Sequence, residues 1–377
     1  MNFILIIKII IIKFFRLNIS FIKREISGYP KSVQKFENEF ARYIGKKFGL
    51  TFCNGTSSIE AALFALQLSE NDEVLVPSST FHATIGPILN LNLKPIFIEI
   101  NPQTLTIDCI DLEKKITNNS KALLIVHPWG NPCNMDKILE IIKINNLKLI
   151  EDCSHAHGAT YDNKKIGSFG DISCFSLQGG KSVAAGEGGI SITDKNEYFL
   201  RMSAYGHFNR HEKKFLEDDK FTKFTKTGIS KKLRAHPLGI SIASVDFDYL
   251  DKINLYKKDI YNKIDQILKK FKSITQVELN QKAERGGFFG GYPILFKDLK
   301  NINSIKNIFT KNNIKIFPYP WLLHHKLDVF SKEEVHLSVT EDISQKFYFI
   351  KIPFFLNFNF KNLEKCLLEC KKNNLIE

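Results

Sequence analysis

Between residues 32 and 239, short apolar runs bounded by turn formers alternate with periodic segments of helical length. That alternation buries the runs as strands of one sheet and lays helices across its faces, the signature of an α/β domain. It predicts strands at 73–76, 95–100, 122–127, 147–152 and 189–193, with helices at 57–68, 84–90 and 135–145 among the intervening segments. Pro77 ends one strand, and Gly130-Asn131-Pro132 makes a turn. A long amphipathic stretch at 241–271 predicts one helix leaving this domain. Beyond it, Gly286-Gly287 and Gly290-Gly291 flank the start of a second apolar pattern, with a strand at 292–296 and helices near 302–312 and 362–372. The chain therefore divides into a leader at 1–27, a large domain at 28–250, and a linking helix with a small C-terminal domain at 251–377.

Composition narrows the function classes. A hydrophobic content of 44% and a charged content of 25% are those of an ordinary globular protein. The formal net charge of +13 raises nucleic acid, a membrane surface or a phosphorylated substrate. Its lysines are spread among Ile, Asn and Phe, with no basic block or aromatic platform, so the charge reads as a solvated surface and nucleic acid is not expected. An anionic substrate such as a nucleotide-sugar remains compatible with it. Seven cysteines form no C-x-x-C pair. Cys53, Cys153 and Cys174 read as small buried hydrophobes, and Cys366 and Cys370 have no histidine nearby, so no metal is expected and a reducing cytoplasm fits.

The leader is apolar from Phe3 to Phe15 but is interrupted by Lys8 and Lys13. It falls short of the roughly 20 apolar residues a bilayer span needs, and no signal cleavage pattern follows. Packing on the protein body or across a subunit interface is the preferred reading, with a membrane contact through residues 3–16 as the alternative.

Four features carry chemistry. Cys53-Asn54-Gly55-Thr56-Ser57-Ser58 opens a helix, where free N–H groups and the helix dipole make a phosphate site; Thr56 or Ser57 is also an ordinary N-cap type. Glu151 and Asp152 end an apolar run, where α/β folds place ligands, and Ser154-His155-Ala156-His157 follows. Polar residues at a strand end need no special role, yet an Asp in this position can pair with the ring nitrogen of pyridoxal phosphate. Lys181 lies 29 residues past Asp152, between Gly179-Gly180 and Gly186-Glu187-Gly188-Gly189. A Schiff-base lysine needs close backbone approach and a partly desolvated amine, whereas a lone lysine in a Lys-rich chain is by default a surface charge. Phe81, just past a strand end, is placed to stack on a flat ring, although the chain holds 32 phenylalanines.

Together the segments CNGTSSIEAAL, DEVLVPSSTFHAT, LIEDCSHAHGATYDNKKIGSFGDISCFSLQGGKSVAAGEGG and GISKKLRAHPLG resemble the DegT/StrS-type sugar aminotransferases, a branch of the fold-type I pyridoxal-phosphate enzymes. The resemblance runs from about Gly28 to Cys370. It implies a large domain with a mixed, mostly parallel sheet and a smaller C-terminal α+β domain. It implies that Lys181 forms the Schiff base and shuttles protons, and that Asp152 pairs with the pyridine nitrogen. It places His155 at the phenolic oxygen and Phe81 on the ring. Gly55, Thr56, Ser57 and Ser176 are then on the phosphate, with Gln178 close by. Lys232 stands where many members carry the Asn of an N-x-R arrangement, which reaches the phosphate of the neighbouring subunit of a homodimer. Arg234, His236 and Trp321 become candidates for substrate contact.

The function implied is ping-pong transamination, from glutamate or glutamine to a keto-sugar, either nucleotide-linked or a ketocyclitol. Alternatives are a lyase or aldolase of the same fold, the sugar-dehydrating branch, and a regulatory sensor. Lys181 argues against the dehydrating branch, which carries His there, and an intact Lys–Asp pair argues against the sensor.

Overall fold

The computed structural model describes residues 3–207, 231–297, 301–331, 333–352 and 358–377; residues 228–230 of the GISKKLRAHPLG segment fall outside these. Helices α1 (Phe3–Ile22) and α2 (Lys31–Ile44) precede strand β1 (Phe48–Phe52). Then come α3 (Gly55–Ala65), β2 (Glu73–Pro77), α4 (His82–Asn90), β3 (Lys94–Ile98), α5 (Cys109–Lys115), β4 (Ser120–Val126), α6 (Met135–Ile144) and β5 (Lys148–Asp152). Two short strands, β6 (Thr160–Tyr161) and β7 (Lys164–Lys165), precede β8 (Ile172–Ser176), β9 (Gly189–Thr193) and α7 (Asn196–Gly206).

Seven of these strands form one sheet in the order β1-β9-β8-β5-β4-β2-β3. All pair in parallel except β9, which runs antiparallel to both β1 and β8. The mixed, mostly parallel α/β sheet is the expected one, and it explains the near-continuous Leu, Ile and Val of its strands, since helices cover both faces. Two buried clusters lie on its opposite sides. Phe36, Phe40, Leu123, Leu149 and Phe175 belong to one, and Leu63, Val76, Leu124, Ile150 and Met202 to the other. Neighbouring residues Leu123 and Leu124, or Leu149 and Ile150, thus point to opposite faces, as strand geometry requires.

The expected long helix at 241–271 is two helices, α8 (Pro237–Asp248) and α9 (Leu250–Leu268). They break at Tyr249, whose φ of −110° and ψ of 5° leave the helical region. The apolar periodicity continues across the joint, so the sequence pattern does not reveal the break. The remaining chain holds β10 (Ile274–Gln276), β11 (Ala283–Glu284), β12 (Tyr292–Phe296), α10 (Ile302–Lys311), β13 (Ile316–Pro318), α11 (Ser338–Lys346), β14 (Phe347–Ile350) and α12 (Phe360–Lys372). An antiparallel four-stranded sheet, β10-β12-β14-β13, packs under α9, α10 and α12 around Tyr261, Tyr292, Phe296 and Phe309. Strand β11 pairs instead with β6, so the C-terminal segment is stitched to the loop that follows Asp152.

The leader forms α1, packed against α8. Three of its polar side chains meet α8: Lys13 pairs with Asp246 at 2.6 Å, Arg16 reaches Ser244 and Asp248, and the Ser20 and Ser241 hydroxyls meet. Ile4, Ile11, Phe14 and Phe15 are exposed. No helix of the described residues is long and apolar enough to cross a membrane.

Phe40 is the clearest probe of the main core, with its ring packed against Phe36, Phe175 and Phe247 at centroid distances of 5.0–5.7 Å. Phe40→Ala should lower unfolding stability by about 3–5 kcal/mol in denaturant titration, the usual cost of removing a buried aromatic ring.

Candidate active site

Six strands run in one direction and end on the same edge of the sheet, and residues at or past the ends of β1, β2, β4, β5 and β8 meet in one cavity of about 290 Å³. Gly55 and Thr56 arrive after β1, Phe81 after β2, Asp152 and His155 at and after β5, and Ser176, Gln178 and Lys181 at and after β8. Trp321 closes the cavity from the C-terminal segment. Such a convergence outside the carboxyl ends of strands is where open α/β sheets hold ligands.

The helix start is built for an anion. Asn54 caps α3 by accepting the Ser57 N–H at 2.8 Å, which settles the chain into its first turn. Gly189 lies so close that a Cβ there would sit 2.3 Å from the Asn54 oxygen, and a Cβ on Gly55 would sit 2.9 Å from that of Ser176. Only glycine lets β9 and Ser176 approach the opening of α3 this closely. Ser57 is turned away from the cavity, with its hydroxyl 3.3 Å from the Cys53 sulfur.

Asp152 is buried, and both its oxygens accept hydrogen bonds: one from the Ser154 N–H at 3.0 Å, the other from the Thr84 hydroxyl at 2.8 Å. Thr80 in turn contacts Thr84 at 2.8 Å. The carboxylate is therefore oriented before anything binds. Thr84 lies in the sequence segment that supplies Phe81, yet its partner is 68 residues away, which no local pattern discloses.

Lys181 is buried among apolar groups, which pulls its amine down to about 7 against the opposing pull of Asp152. Its Nζ lies 3.6 Å from the centre of the Phe289 ring. That ring stacks on His155 at 4.2 Å, His155 on Trp321 at 5.9 Å, and Trp321 on Trp129 at 4.8 Å. Burial, with the nearby Lys181 and His157 charges, holds His155 well below its usual range, so its imidazole is neutral. Its Nδ1 accepts the Trp129 N–H at 3.3 Å, which leaves the proton on Nε2 as a donor. Trp129 has a φ of 51°, an unusual conformation for a bulky residue. Neither Phe289 nor Trp129 was singled out by sequence; the paired glycines around Phe289 were the available signal.

Lys232, Arg234 and His236 do not line this cavity. Lys232 is exposed and bridges to His207, and His236 caps α8 by accepting the Leu238 N–H. His127, Glu151 and Cys153 cluster beside the site, but both His127 nitrogens are engaged, one by Glu151 and one by the Cys133 N–H.

The DegT/DnrJ/EryC1/StrS aminotransferase family model matches residues 23–365. A GDP-perosamine synthase of Escherichia coli O157:H7 is 35% identical over 254 residues, covering 66% of this chain and 68% of that protein. An L-glutamine:scyllo-inosose aminotransferase of Streptomyces griseus is 34% identical over 188 residues, which cover 49% of this chain and 44% of that protein. Among solved structures, the aminotransferase PseC of Helicobacter pylori superposes with a TM-score of 0.83 at 21% identity, covering 96% of each chain.

The geometry fixes the sign of one electrostatic effect. Asp152 favours the charged amine, so Asp152→Asn should lower the pH at which Lys181 becomes reactive from near 7 by about one unit. Residue-resolved acylation rates across pH check this.

Proposed function

Because the chain belongs to the DegT/DnrJ/EryC1/StrS aminotransferase family, we propose that it moves an amino group from glutamate or glutamine to a keto-sugar, with pyridoxal phosphate bound in the cavity around Lys181. The observation that carries this reading is the pairing, in one cavity at the strand ends, of a buried amine drawn down to about 7 with a hydrogen-bonded carboxylate. A fully charged lysine is a poor base and nucleophile; one that titrates near neutrality serves as both.

The residues present fit the cofactor. The opening of α3, kept clear by Gly55 and Gly189, suits a phosphate, and Ser176 lies against it. Asp152 suits a protonated ring nitrogen, Phe81 the face of the ring, and the Nε2–H of neutral His155 a ring oxygen. Bound there, pyridoxal phosphate supplies a carbonyl for amine exchange and a ring that withdraws electrons from the reacting carbon.

Lys181 Nζ removes the proton from the α-carbon of the amino donor and, in the second half, delivers a proton to the former carbonyl carbon of the sugar. Asp152 holds the positive charge that makes electron withdrawal effective, and Thr84 and Ser154 hold Asp152. The aromatic stack of Phe289, His155 and Trp321 keeps water from the amine. The protein acts in the cytoplasm as a homodimer, in which Lys232 reaches the phosphate site of the partner subunit as a point charge and Arg234 and His236 face the acceptor. The exposure of Lys232 and its place outside its own chain's cavity support that arrangement. The acceptor is a nucleotide-linked ketosugar or a ketocyclitol, as the names of the relatives suggest.

Lys181→Ala should reduce amino transfer by at least about 10³-fold and end borohydride trapping of the cofactor. An unchanged trapping signal in that variant would remove the basis of the assignment. Trp321→Ala should raise the KM for the keto-sugar about tenfold or more while leaving the glutamate half-reaction within about threefold, as single-turnover kinetics of each half would show.

A further inference from the structure

We propose that Lys257 is a positioning residue for Lys181: from α9 its ammonium ties Ser182, the next residue in the chain, to Gly287, and so sets where the Lys181 amine points. This rests on the reading of Lys181 as the reacting amine. Lys257 Nζ lies 3.0 Å from the Ser182 hydroxyl and 3.2 Å from the Gly287 carbonyl oxygen, and the Ser182 hydroxyl itself donates to that oxygen at 2.6 Å. Three separate elements thus meet at one cation: helix α9, the lysine loop, and the glycine-rich segment before β12.

Each arm of this junction is rigid. Gly287 is held at a φ of +71°, and a Cβ there would lie 2.3 Å from the His155 oxygen and 2.8 Å from the His157 nitrogen. The segment is therefore pressed against the loop that leaves Asp152, and two residues further on it presents the Phe289 ring on which Lys181 Nζ rests. On the other side, the Asp246 carboxylate accepts the Ala184 N–H at 3.2 Å and pairs with Lys13 of α1. Lys13, Lys181, Asp246 and Lys257 all line a second cavity of about 430 Å³ that shares Lys181 and Phe289 with the first.

Volume filling alone does not explain Lys257. Burial pulls its amine down to about 8, with Asp246 opposing, which is the mark of a cation kept where an apolar side chain would avoid the desolvation cost. What an apolar side chain lacks is the bridge from Ser182 to Gly287. Without that bridge the lysine loop and Phe289 separate, and the Lys181 amine gains water.

The test measures acylation of Lys181 across pH, residue by residue by mass spectrometry, in protein stripped of cofactor. The wild-type midpoint is expected near 7. Lys257→Met should raise it by about one unit or more, Ser182→Ala should raise it by less, and Lys257→Arg should return it to the wild-type value, because a guanidinium can hold both oxygens. A wild-type midpoint in folded Lys257→Met overturns the proposal; if that variant does not fold, a wild-type midpoint in Ser182→Ala does so. Borohydride trapping of added pyridoxal phosphate runs in parallel. If wild-type protein traps none, the functional assignment fails, whereas the titration still decides the role of Lys257.

Discussion

The site depends on a buried carboxylate that faces away from the chemistry. Glu151 accepts hydrogen bonds from the N–H groups of Gly167, Phe169 and Gly170, from the Ser173 hydroxyl and from His127. Burial alone would push its carboxyl up, but these donors outweigh that and hold it below the usual range. They fasten the 167–170 loop and the end of β4 to the end of β5. Because successive residues of a strand point to opposite faces, anchoring Glu151 on one side commits Asp152 to the other. The position of the cavity carboxylate is thus set by its neighbour's hydrogen bonds as much as by its own.

From that anchor the rest of the cavity is assembled by close backbone approach. Glycines stand where a Cβ would strike main chain: Gly189 against Asn54, Gly286 against Ala159, Gly287 against His155 and Gly291 against Ile350. The first of these brings the opening of α3 to the sheet edge. The other three press the segment before β12 onto the loop after Asp152 and onto β14. The aromatic stack running from Phe289 to Trp129 then fills the seam, so the groups around the amine come from four distant parts of the chain. Rigid placement of this kind lets a buried amine and a buried carboxylate share one cavity without drifting into a plain ion pair.

Much of this was legible in sequence because it is local. The strands at 73–77, 120–126, 148–152 and 189–193 were located to within two residues by their apolar runs and bounding turns. Reading the ends of the runs at 73–77 and 148–152 also located Phe81 and Asp152, whereas Gly55 and Lys181 follow β1 and β8, strands outside the expected set, and stood out by a helix-start pattern and by flanking glycines. What sequence missed is non-local. Thr84 gains its meaning only by reaching Asp152, Phe289 only by lying against Lys181, and Trp129 only by donating its N–H to His155. The break at Tyr249 escaped for a different reason, since both helices keep apolar residues in phase across it. Lys232, Arg234 and His236 were grouped with the cavity by motif, and in one chain they lie apart from it.

The leader shows how hydrophobicity alone misleads. Its run of Ile and Phe suggests a helix that buries its apolar residues, but its inward face is Ile6, Ile9, Lys13, Arg16 and Ser20, spaced alternately three and four residues apart, and the last three of these meet α8. That spacing is one face of a helix, and it places two cations opposite Asp246 and Asp248. The exposed Arg16 pair adds little by itself, as surface ion pairs generally do. Lys13 is different, because Asp246 is buried and also holds the Ala184 N–H in the lysine loop. Burial raises the Asp246 carboxyl and Lys13 opposes that rise, so the first helix of the chain helps keep charged a group that supports the loop bearing Lys181.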